Sequence, residues 1–172
     1  MRRKLVIAVI IIACFLLQST VFKTLSIASI SPNLLVVVTA AFGFMRGKKE
    51  GLFVGFFSGL LIDLMFGSVL GFYALVYMFI GFLNGFFRKA FFPDEILLPI
   101  ALIALSDFSC NLVTYFILFW FRGRFQFGYY LLHTILPELV YTMLIAVLLY
   151  FILFKINQKL EEIEKRSETK FG

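Results

Sequence analysis

The chain has 172 residues, 62% of them hydrophobic, 19% aromatic and only 15% charged, with a mean hydropathy of +0.99. Ordinary globular domains are about half apolar and a quarter charged, so these long apolar runs between short basic clusters exclude a soluble fold and predict one small polytopic membrane domain. The net charge of +6 follows from where basic residues sit along such a chain and calls for no nucleic-acid partner.

Met1-Arg2-Arg3-Lys4 followed by Leu5 to Leu17 imitates a signal peptide, but the apolar run continues to Phe22 and no small-x-small site closes it, so an uncleaved first span is expected. A Ser-rich link, 23–31, leads to Ser31-Pro32, which reads as a helix start with Ser at the cap and Pro at the first helical position. Span two, Leu34 to about Met45, is short. Even Pro32 to Arg46 covers only ~22 Å against a hydrocarbon core of ~30 Å. Such a helix either stands upright in a thinned bilayer or is sheltered by its neighbours.

A tight basic turn, Arg46-Gly47-Lys48-Lys49-Glu50-Gly51, precedes span three, Leu52 to Phe66. A second turn, 67–71, leads to span four, Phe72 to Phe87. Span five is Ile96 to about Phe121, and span six runs from Tyr129 to about Phe154, with Pro137 kinking it by freeing the carbonyl of His133. Placing the N-terminus in the cytoplasm puts 13 of the 16 Lys and Arg residues there, leaving only Lys23, Arg122 and Arg124 outside. Six spans with both termini inside follow. The Arg122/Arg124 pair breaks this pattern; it either snorkels to the outer headgroups or meets an acidic partner segment. The division expected is a membrane domain, 1–154, and a cytoplasmic tail, 155–172. In that tail Ile152, Ile156, Leu160 and Ile163 form an apolar stripe suited to lipid or to a partner.

Glycine recurs every fourth residue at Gly43, Gly47, Gly51, Gly55 and Gly59, then Asp63 interrupts before Gly67 and Gly71; Gly81 and Gly85 repeat the spacing in span four. Small residues four apart on one face let two helix backbones approach in lipid. Gly51, Gly55, Gly59, Gly81 and Gly85 are therefore the expected packing surface of a tight hairpin around which the other helices gather. Asp63 is expected to be structural, pairing with a group across the bundle, since a carboxylate at that depth must face protein or water.

Two further carboxylates fall within spans. Asp107, Cys110, Asn111 and Thr114 share one face of span five, and Thr134, Glu138, Tyr141 and Thr142 share one face of span six. Either they line a polar cavity for a ligand, ion or proton, or they make the interhelical hydrogen bonds that fix the bundle. Cys14 and Cys110 lie in apolar runs as small hydrophobes and imply neither disulfide nor metal site. His133 is the sole histidine and lacks companions for a metal centre. Neither Asp63 nor Asp107 has a Gly-x-Gly-Asp setting, and no motif joins Ser58 to His133 as nucleophile and base. No enzyme and no cofactor are expected.

The order of marks in spans two to four resembles the MreD family of bacterial rod shape-determining membrane proteins. The matching residues are Ser31-Pro32-Asn33-Leu34-Leu35, Arg46-Gly47 with Glu50-Gly51, Gly55-x-x-x-Gly59-Leu60-Leu61-x-Asp63-Leu64, Gly67, and Leu70-Gly71-x-Tyr73-Ala74-Leu75. Where that family often has Asp after the Pro, this chain has Asn33. The resemblance implies a non-enzymatic scaffold of the cell-elongation complex in the bacterial cytoplasmic membrane. Such proteins bind MreC, a single-span protein, and act with MreB, RodA and a class B penicillin-binding protein in peptidoglycan synthesis. It also implies an all-α fold similar to the substrate-binding subunits of energy-coupling-factor transporters. That likeness supplies the rival reading, a vitamin-type small-molecule-binding subunit. Arg46, Lys48, Lys49, Arg122 and Arg124 are the expected partner contacts, and pairing with a second copy stays open.

Overall fold

The structure is a computed structural model that describes residues 2–25, 30–67, 69–90, 95–118, 123 and 126–171. Among these it is all-helical. The helices are α1 (Arg2–Ser19), α2 (Val21–Thr24), α3 (Leu34–Arg46), α4 (Lys48–Phe66) and α5 (Phe72–Asn84), which passes into a 3₁₀ turn (Gly85–Ala90). Then come α6 (Leu97–Leu118), α7 (Phe127–Tyr130), a π-helical turn (Leu131–Ile135) and α8 (Leu136–Phe171). Three stretches, Arg3–Thr24, Leu97–Ile117 and Phe127–Ser167, are long and apolar enough to cross a membrane.

The centre of the fold is α3. Every residue from Leu34 to Met45 is buried, with α1, α4, α5, α6 and α8 all packed on it. A helix apolar all round belongs in an interior, and α3 is too short to span lipid alone. Of the two explanations for its length, shelter by neighbours is the one observed. The hairpin predicted to be the centre is thus one wall of the bundle, and its outer face (Phe53, Phe57, Leu75, Phe79) is exposed.

That wall is closed backbone to backbone. A Cβ on Gly55 would run into the Tyr77 carbonyl, one on Gly59 into the Tyr73 carbonyl and the Ala74 Cα, and Gly51 and Gly81 face each other the same way. Gly85 lies against the backbone of Lys48, and Gly43 brings α3 into the same seam, a Cβ there falling 2.6 Å from the Gly81 oxygen. Backbone atoms cannot rotate aside, so none of these positions has room for a side chain.

Several boundaries differ from those predicted. The first turn of α3 starts at Leu34, two residues beyond the expected Pro32, with Asn33 at the cap position making no cap bond through its side chain. The basic turn shrinks to Gly47 alone, whose φ of +103° suits only glycine; Lys48 to Gly51 are already helical. Pro137 is accommodated by the π-helical turn that precedes α8, which lets the chain continue without a break. Span six continues into the tail as one helix, α8, which runs 36 residues without interruption, about 54 Å of helix against a ~30 Å core. Its inward face is Leu153, Asn157 and Leu160, while Ile152 and Ile163 of the predicted stripe are exposed.

Candidate functional site

Asp63 closes the mouth of the hairpin. It is 3% exposed, and its carboxylate accepts from three backbone N–H groups: Gly71 (3.0 Å), Tyr73 (3.0 Å) and Ala74 (2.9 Å). These are orphan donors at the start of α5, so Asp63 caps its neighbour helix and lies at the favourable end of its dipole. The partner predicted across the bundle is instead the next helix of the same hairpin.

At that same end lies a half-enclosed cavity of about 600 Å³. Gln18 and Lys23 line it from α1 and α2, Tyr73 and Tyr77 from α5, Asn111 and Thr114 from α6, and Thr134 and Glu138 from the π turn and α8. Asn33 joins its floor to the bundle: its side-chain oxygen accepts from the Tyr77 hydroxyl (2.8 Å) and its backbone N–H donates to Thr142 Oγ1 (3.1 Å). Gln18 Oε1 accepts from the N–H of Leu35 (3.2 Å), so α1 supplies a cap that α3 lacks in its own sequence. Directly behind this floor, Asp107 is 0% exposed, and neither carboxylate oxygen meets a donor in hydrogen-bond geometry, although Thr142 and Asn33 lie alongside. Glu138 sits in the wall next to Asn111, within reach of the Asp107 charge. The polar faces of α6 and α8 therefore do both things the sequence allowed, with Thr142 in interhelical bonding and Asn111, Thr114, Thr134 and Glu138 around a cavity.

The opposite end handles charge differently. The Arg46 side chain, only 7% exposed, donates to Glu164 (3.1 Å) and to the side-chain oxygen of Asn157. Arg3 bridges Glu164 (3.1 Å) and Glu50 (2.7 Å), and Asn157 donates onward to Glu161 (3.1 Å). Partial burial pushes the Glu164 carboxyl up, but the hydrogen bonds and charges of Arg46 and Arg3 outweigh it and hold it below its ordinary value. This clamp ties the start of α1, the α3–α4 turn and the extension of α8 together.

Of the residues predicted to meet partners, Arg46 is thus spent inside the protein. Lys48 lies over the Phe86 ring, 3.3 Å from its centroid; Lys49 is exposed; Arg122 and Arg124 fall outside the described residues. His133 stacks on Tyr129 with centroids 4.2 Å apart, and no group of three metal-ligating side chains occurs among the described residues. Sequence reasoning overlooked Tyr77, Asn157 and Glu164, and noted Asn33 only as a departure from the family pattern. A signal existed for Asn157, a lone amide in an otherwise apolar helix face, but its partner 111 residues away was not visible.

Comparison with known proteins found no match among curated proteins or solved structures. The description of one family, "rod shape-determining protein MreD", matches residues 1–160. That range holds the buried α3, the glycine seam, the Asp63 cap and the cavity, leaving out only the last turns of α8. The chain belongs to the MreD family of rod shape-determining membrane proteins.

Proposed function

We propose that this protein is a non-enzymatic scaffold of the cell-elongation complex, a multi-pass protein of the bacterial cytoplasmic membrane. In this reading it has six spans with both termini in the cytoplasm and a fold like that of energy-coupling-factor substrate-binding subunits. Residues 1–154 form the membrane unit and 155–172 its cytoplasmic extension. It holds an MreC-like single-span protein and couples RodA and a class B penicillin-binding protein to MreB. The observation that carries the reading is the family match across residues 1–160. It is supported by the exposed apolar rows of α6 and α8 (Leu105, Leu144, Leu148), surfaces on which a partner's span can lie. Lys49 on the cytoplasmic side, and Arg122 and Arg124 on the other, supply the charged contacts. The test is affinity purification from native membranes in mild detergent with mass spectrometry. A single-span protein with an extracytoplasmic domain, recovered with a peptidoglycan synthase, supports the scaffold; its absence from crosslinked native membranes overturns it.

One observation favours the rival reading, a vitamin-type binding subunit of a transporter: the cavity of about 600 Å³ between α1, α5, α6 and α8. That reading requires cytoplasmic ATPase subunits in the same purification.

A further inference from the structure

We propose that the end of the α4–α5 hairpin where Gly47 and Gly85 lie is a binding site for the phosphate head group of an anionic membrane lipid. The inference goes beyond the scaffold reading and does not rest on it; it needs only that the hairpin lies in a membrane, as the family implies. Lys48 opens α4, and Arg88 and Lys89 belong to the 3₁₀ turn that follows α5. Distant in sequence, they meet because two glycines let the chain approach itself. Gly85 lies against the backbone of Lys48, and a Cβ on Gly47 would fall 2.9 Å from Cδ of Arg88. The two arms of the hairpin thus bring their cations to one spot, and all three residues are exposed.

Charge and shape both point to a lipid. Among the described residues none of the three cations forms an ion pair, and Glu50, the carboxylate nearest to Lys48 in sequence, is bridged by Arg3 at 2.7 Å. The Lys48 ammonium rests on the Phe86 ring, 3.3 Å from its centroid, with Phe82 at 5.9 Å. Those rings hold it over the 3₁₀ turn without neutralising it. Arg88 adds a planar fork of donors suited to phosphate oxygens, and Lys89 a second point charge. Alongside these cations the outer face of the hairpin is apolar and exposed, through Phe53, Phe57, Phe79 and Leu83. A basic cluster at the end of an apolar, membrane-facing surface matches an anionic lipid, whose head and chains have the same two characters. A free anion or an acidic peptide would use the cations and leave the aromatic face without an occupant.

The test takes the full chain in bilayer discs of phosphatidylcholine containing a minor share of phosphatidylglycerol, then moves it into a neutral detergent. Mass spectrometry counts the lipid retained. Phosphatidylglycerol should be enriched well beyond its share of the bilayer. Replacing all three cations (Lys48→Gln, Arg88→Gln, Lys89→Gln) should lower that enrichment at least tenfold, since each cation at a lipid surface contributes roughly fivefold. Removing two exposed cations of α8 instead (Lys155→Gln, Lys159→Gln) should change it less than about twofold. If the triple variant does not fold, Lys89→Gln decides alone by a roughly fivefold loss. Equal retention of the two lipids overturns the assignment, and so does an equal loss in the α8 variant, which would reduce the patch to a diffuse positive field. Release of the phosphatidylglycerol by a capped tri-glutamate peptide overturns it in favour of an acidic protein segment.

Discussion

Two helix seams in this protein follow opposite rules. Between α4 and α5 nothing but backbone separates the helices, and the one carboxylate there is fully engaged. Between α6 and α8 a cavity remains, and neither oxygen of the buried Asp107 meets a donor in hydrogen-bond geometry. Glycine removes the freedom to leave space. Larger polar residues keep that freedom.

The largest expected effect breaks the glycine seam. Gly55→Leu puts a side chain where the Tyr77 backbone lies, and the loss should exceed the ~1–3 kcal/mol of ordinary overpacking. Little folded protein should survive size-exclusion chromatography, whereas Thr114→Val on the polar seam, where the hydroxyl donates to the Cys110 carbonyl of its own helix, should elute as the parent does. Asp63→Ala comes next: three N–H groups lose their acceptor, about 2–3 kcal/mol, seen as a lower detergent melting temperature. Arg46→Ala leaves the buried Asn157 without its donor, on the order of 1–2 kcal/mol.

The smallest effect is a pH dependence at the clamp. Because the folded-state pKa of Glu164 is lowered, its stabilisation is fully present above the unfolded value, ~4.3, and is lost as pH falls through the lowered one. A spin-label distance between positions 49 and 167 should hold constant from neutral pH to about pH 5 and lengthen only below ~4. Lengthening already near pH 6 would assign the latch to another group.

The all-helical class and the position of each long helix were legible in the sequence because apolar length and basic punctuation are local properties. The glycine period was legible as a period, but not the partner of each glycine: Gly43 turned out to meet Gly81 from a third helix. Asp63 could be read as a buried carboxylate, while its acceptance of three amides depends on a left-handed Gly71 eight residues on. The central role of α3 was hidden, since a short apolar run looks the same whether lipid or protein surrounds it. The clamp and the Asn33 network join residues more than 100 positions apart, and one sequence records no such distances.

The burial of α3 has a consequence for how the protein is made. Its 13 residues form ~20 Å of helix, too little to hold a stable position in a bilayer when they leave the ribosome. The single-residue turn at Gly47 joins them to α4, so the two should enter together as one helical hairpin, with the surroundings of α3 complete only once α6 and α8 have packed on it. Completion of the interior is therefore the last step of assembly, and a chain truncated before α8 should expose α3 to the membrane's quality-control proteases.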